Sequence, residues 1–164
     1  MRTSSRRGAS AILPLVAAAI ALVAVAGPTT AVTPQQVHIV AHMSKDGTGI
    51  FEATGSAVDE GLICGRGTVL DAGNELAGWQ SGQKVQVLSR KALTCTDAEW
   101  IPDGSGTFFV KIQIHAVFGG DEPFTWVVQG GTGAYADVRG SGDGVTADNT
   151  PESNTNIYDG FLVQ

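Results

Sequence analysis

From residue 36 onward, hydrophobic side chains recur at every second position in short runs, and Gly-, Asp- and Asn-containing turns separate the runs. A repeat of two is that of a pleated strand with one packed face. The runs are 36–42, 48–53, 61–71, 83–90, 106–118, 123–129, 134–139 and 156–163. The clearest is 108–116. There Phe108, Val110, Ile112, Ile114 and Ala116 share one face, and Phe109, Lys111, Gln113 and His115 share the other. Such two-faced strands suit an antiparallel sheet. The alternation does not say which face lines an interior; apolar faces turned outward would need a second subunit to cover them. No window of ten residues beyond the leader keeps a helical period. Residues 72–82 carry three glycines and would make a helical turn at most, and 145–155 read as the longest polar loop. The pattern predicts an all-β sandwich or barrel.

The first 31 residues stand apart. Arg2, Arg6 and Arg7 precede the apolar run 11–26, the layout of a secretory signal peptide. The run is shorter than the ~20 residues a spanning helix needs. Cleavage is expected after Ala26 or Ala31. Arg6-Arg7 lacks the apolar residues that usually follow a twin-arginine pair, so the ordinary secretory route is expected. The expected organisation is a signal peptide at 1–31 and one domain at 32–164, with the mature chain secreted and no membrane association after cleavage.

All 16 acids follow residue 31, against 7 of the 10 Lys and Arg, which leaves that part a formal charge of −9. Such a surface repels the phosphate backbone, and no basic run offsets it, which argues against nucleic acid as a partner. The two cysteines, Cys64 and Cys95, are expected to pair as a disulfide in an oxidising compartment.

Gly131-x-Gly133-x-x-Ala136 follows a strand-like run with the spacing of a dinucleotide fingerprint. That fingerprint must open a helix and be followed by an acidic residue about 20 positions on. Here the next glycines, Gly140, Gly142 and Gly144, arrive before a helix could form, and no Gly-Lys-Ser/Thr makes a P-loop. The motif reads as a hairpin, with 123–129 and 134–139 as its arms and glycines supplying the turn.

The stretch "VVQGGTGAYADVRGSG" resembles the hairpin segment of the allene oxide cyclase/dirigent-like β-barrels. Gly131, Thr132, Gly133, Tyr135 and the pair Arg139-Gly140 are the matching positions. The segments "GLICGRGTV" and "DGSGTFFVKIQ" are similar to those of small secreted actinobacterial proteins. The resemblance implies a single antiparallel barrel of about eight strands, often dimeric or trimeric, whose cavity holds a small apolar molecule and guides cyclisation or coupling by shape. It carries over no catalytic residue and implies no cofactor.

Against this background the residues expected to face a ligand are the aromatics Phe109, Trp126, Tyr135 and Phe161, with Tyr135, Arg139 and Asp159 as polar anchors. Asp159 alternates with Ile157, Phe161 and Val163, which places a carboxylate among core-directed positions; Arg139 or Arg66 would then pair with it. Metal is not expected. His38 and His42 share a strand face about 13 Å apart, too far for one zinc, and Asp143 and Asp148 lack the spacing of calcium loops. No nucleophile elbow supports hydrolysis. Three functions stay open: a barrel that holds or orients a small hydrophobic molecule, a cyclase or isomerase acting by cavity shape, and an extracellular interaction module without a cavity.

Overall fold

Alternation along the chain becomes alternation across a wall. The computed structural model describes residues 32–80, 84–117 and 122–164, so the signal-peptide reading of 1–31 lies outside the described residues. Eight strands follow one another around a closed barrel: β1 (Gln35–Ser44), β2 (Thr48–Thr54), β3 (Arg66–Gln80), β4 (Lys84–Thr96), β5 (Pro102–Val117), β6 (Glu122–Gly131), β7 (Arg139–Ala147) and β8 (Ser153–Val163). Every neighbouring pair is antiparallel, and β1 closes on β8 from Gln35↔Leu162 to Ser44↔Ser153. The all-β antiparallel barrel expected from the sequence is the fold.

Every strand except β7 turns buried apolar side chains inward. Val37, Ile39, Ala41 and Met43 from β1 meet Phe51 and Ala53 from β2, Leu93 from β4, and Phe108, Val110 and Ile112 from β5. Phe124, Trp126 and Val128 from β6, with Tyr158 and Leu162 from β8, complete the filling. The rings meet edge to face: Phe51 on Phe108 and Trp126 on Tyr158, with centroids 5.8 and 6.2 Å apart. A subunit to cover outward-facing apolar strands is therefore not required by this pattern.

β7 faces the interior with Gly140, Gly142 and Gly144, and space is the reason. A Cβ on Gly142 would stand 2.8 Å from the Trp126 ring and closer still to the Asp159 carbonyl. On Gly144 it would strike the Phe124 ring, and on Gly140 the Leu162 side chain. Gly160, directly across from Gly142, would put a Cβ 2.6 Å from the same Trp126 ring. These glycines leave the volume that the aromatic core occupies.

One end of the barrel is plugged. The connection from β2 to β3 contains a single helical turn, α1 (Ser56–Asp59), with Ala57 and the following Ile63 fully buried. Between β6 and β7 lies a short 3-10 helix, η1 (Gly133–Tyr135), which buries Tyr135 and Val138. The Cys64–Cys95 disulfide fastens the β2–β3 connection to the end of β4. Three local expectations change here. Residues 134–139 hold η1 and its exit rather than a strand, and the strand returning beside β6 is Arg139–Ala147. The stretch 72–80 continues β3 in place of a helical turn, bulged between Asp71 and Gly73 and between Leu76 and Gly78. The polar segment 145–155 is mostly strand, with only residues 148–152 between β7 and β8.

Candidate functional site

At the end away from α1 and η1 the interior changes character. Among the described residues the aromatic filling stops at Phe124 and Tyr158, and beyond it lies a recess of about 320 Å³. Its apolar wall comes from Val87, Ile112, Ile114 and Phe124, and its polar wall from Asp71, Asn74, Ser89, Lys91, Thr146 and Asn156.

Register explains why these polar groups meet. Asp71 and Lys91 are direct cross-strand partners on β3 and β4, both pointing inward, with Nζ donating to Oδ2 at 2.9 Å. The lysine side chain is only 10 % exposed and the aspartate 18 %. Burial alone would raise the Asp71 carboxyl. Hydrogen bonds from Lys91 and Asn74, the charge of Lys91 and the Gly73 N–H outweigh it and hold the group below the usual carboxylate range. The β3 bulge at Asp71/Gly73 turns Asn74 back so that Nδ2 reaches Asp71 Oδ2 at 2.9 Å. On the opposite wall Thr146 and Asn156 are likewise cross-strand partners, and the threonine hydroxyl donates to Asn156 Oδ1 at 2.9 Å.

Below this polar ring sits Tyr158, fully buried, its ring 5.0 Å from that of Phe124. Its hydroxyl has no hydrogen-bond partner among the described residues. Burial, helped by the Asp71 charge, pushes its ionisation far above the ordinary phenol range. The phenol is a fixed, neutral group at every physiological pH.

The residues expected from sequence to face a ligand are not gathered in this recess. Asp159 points outward with 66 % of its side chain exposed, paired to His38 Nδ1 at 2.7 Å; neither Arg139 nor Arg66 reaches it. The inward positions of β8 are Asn156, Tyr158, Gly160 and Leu162, one step out of phase with the expected set. Arg139 is exposed and donates to the carbonyls of Ala136 and Val138 at 3.1 and 2.8 Å, closing η1. Arg66 stacks over Trp100 instead, 5.7 Å from the ring centroid. Tyr135 is buried in the plug, its ring 5.8 Å from Phe108 and its hydroxyl donating to Ser105 Oγ at 3.0 Å. Trp126 fills the barrel's middle and donates Nε1–H to the Asp143 carbonyl at 3.0 Å. Phe109 and Phe161 lie on the outer wall, 41 % and 56 % exposed. Cys64 and Cys95 form the expected disulfide.

The recess residues were missed for want of phase. Ser89 and Lys91 alternate with Leu93 and Cys95, and Asn156 with Tyr158 and Leu162, so each is a polar residue in step with the core. A hollow of about 300 Å³ on the outer wall, by Gly73, Leu88 and Lys111, has its other charged groups, Glu75 and Arg90, exposed and lacks this buried ring. Among the described residues no group of three or more His, Cys, Asp or Glu is placed to hold a metal ion, and no helix is long and apolar enough to cross a membrane.

Fold and recess together define a class: a closed eight-stranded antiparallel barrel, plugged at one end and recessed at the other. Comparison with models of protein families, with curated proteins and with solved structures returns no match.

Proposed function

We propose that the chain is a secreted small-molecule-binding barrel of the allene oxide cyclase/dirigent-like kind, and that its ligand occupies the recess opposite the plug. The leader-like first 31 residues and the disulfide support secretion. The observation that carries the binding reading is the Asp71–Lys91 pair: it lies on the wall of the recess with Ser89, Thr146 and Asn156 beside it, whereas the described interior between the recess and the plug is packed mainly with apolar side chains. A buried ion pair is a weak source of stability, and small-molecule sites combine an apolar wall with a few convergent polar groups. Val87, Ile112, Ile114 and Phe124 supply the wall here, and the two cross-strand polar pairs supply orientation.

Native mass spectrometry of protein purified from culture medium, followed by NMR titration with small apolar compounds, tests this reading. A bound small molecule, or shifts confined to the Ile112 and Ile114 methyl groups, is the expected result. Methyl signals that stay unmoved through a broad panel would overturn it. Peptide mapping of the same sample checks secretion by reading the mature N-terminus, which is expected at residue 27 or 32.

A further inference from the structure

Resting on that reading of the recess, the hydrogen-bond inventory of its walls narrows the ligand's chemistry. Asp71 is well supplied with donors: Lys91 Nζ and Asn74 Nδ2 at 2.9 Å each, and the Gly73 N–H at 3.4 Å, with the Ser89 hydroxyl 3.5 Å away. On the other wall Asn156 Oδ1 accepts from Thr146, and its amide donates to Asn154 Oδ1 at 3.2 Å. Lys91 is the exception. An ammonium carries three N–H groups, and among the described residues only Asp71 takes one. Donor capacity is therefore left over in a nearly buried position, and what the site lacks is an acceptor.

Charge decides what kind. Lys91 and Asp71 cancel, and Glu122 adds a further carboxylate at the rim. A carboxylate ligand would meet described walls with a surplus of negative charge and would lose its own hydration as well. A neutral oxygen loses far less on burial and still receives a charge-assisted bond from the ammonium. The volume, about 320 Å³, equals that of roughly ten waters, which suits a body of about a dozen non-hydrogen atoms.

We infer that the recess binds a neutral, two-ring-sized apolar molecule bearing a carbonyl oxygen, with its body against Ile112, Ile114 and Phe124 and its oxygen on Lys91 Nζ.

Three matched probes test this on the mature protein: 2-acetylnaphthalene, 2-naphthoate and 2-ethylnaphthalene, followed by the Ile112 and Ile114 methyl shifts. The expected order places the neutral ketone at least tenfold tighter than either of the others. In the double variant Lys91→Met/Asp71→Leu, which removes both charges and strands neither, the ketone and the ethyl compound should bind alike. The same methyl spectra report whether that variant is folded, and Ser141→Ala, on the outer face of β7 and away from the recess, should keep the preference for the ketone. Tightest binding of the naphthoate, or equal binding of ketone and ethyl compound to the unaltered protein, would overturn the carbonyl assignment and leave the binding reading standing. No methyl shift with any of the three would count against both.

Discussion

Tyr158 shows how much a single group can matter without holding anything in place. A buried hydroxyl with no partner loses its bonds to water and gains none in return, a cost of about 1–3 kcal/mol. Tyr158→Phe is therefore expected to be at least as stable as the parent in urea denaturation; a loss beyond about 1 kcal/mol would mean that the hydroxyl is bonded. Asp71 behaves in the opposite sense. Its folded pKa lies below the unfolded value of about 3.9. The stability it contributes is complete above that value and is lost as pH falls through the lower, folded one. Asp71→Asn should be less stable than the parent at pH 7, and the gap should narrow below about pH 4 as the parent's carboxylate protonates. A gap that stays constant down to pH 2.5 would contradict this. At this scale the sequence was legible only modulo one position. The rule that a polar residue in step with the core marks a special place was sound, but applied to Asp159 it selected the outer face. Phe161 and Val163 looked core-directed only because Phe and Val also occur on the outside of a barrel.

Among the elements, β7 was the hardest to read. A strand whose inward positions are Gly140, Gly142 and Gly144 has no hydrophobic alternation to reveal it, since its partners' side chains fill the space. Gly142→Ala is expected to cost about 2 kcal/mol or more, because the new methyl meets the Asp159 carbonyl and the Trp126 ring. Ser141→Ala, one position along and facing out, should stay within about 0.5 kcal/mol; thermal or chemical denaturation of the pair checks both. The run 134–139 misled for a related reason. Its Ala-Tyr-Ala-Asp-Val-Arg alternation fits a strand, but Gly130 and Gly133 adopt φ of +92° and +58° and turn the chain into η1 before the strand begins. β5, with five apolar residues in strict alternation, was read correctly because nothing competed with its period.

The whole barrel was legible as a class because alternation and turn spacing recur in most of its strands, β7 being the exception. The recess was not, since it arises where four strands bring polar residues to one level, and that level depends on register. The disulfide ties the α1 side of the plug to the end of β4. Closing a loop whose cysteines are 31 residues apart is worth about 3–4 kcal/mol in the chain-entropy estimate. The double variant Cys64→Ala/Cys95→Ala should therefore melt on the order of 10 °C lower. Scanning calorimetry checks this, and an unchanged melting temperature would show that α1 and η1 hold without the crosslink.

The pairing of Gln35 with Leu162 has a practical consequence. β1 begins and β8 ends at the plugged end, where Gln164 Nε2 donates to the Ala134 carbonyl at 3.2 Å. A tag fused after Gln164 therefore sits at the pole opposite the recess. Captured on a sensor chip through such a tag, the protein would present its cup to the flowing solution, and a circular permutant could rejoin Gln164 to Val32 with a short linker and keep every rung of the wall.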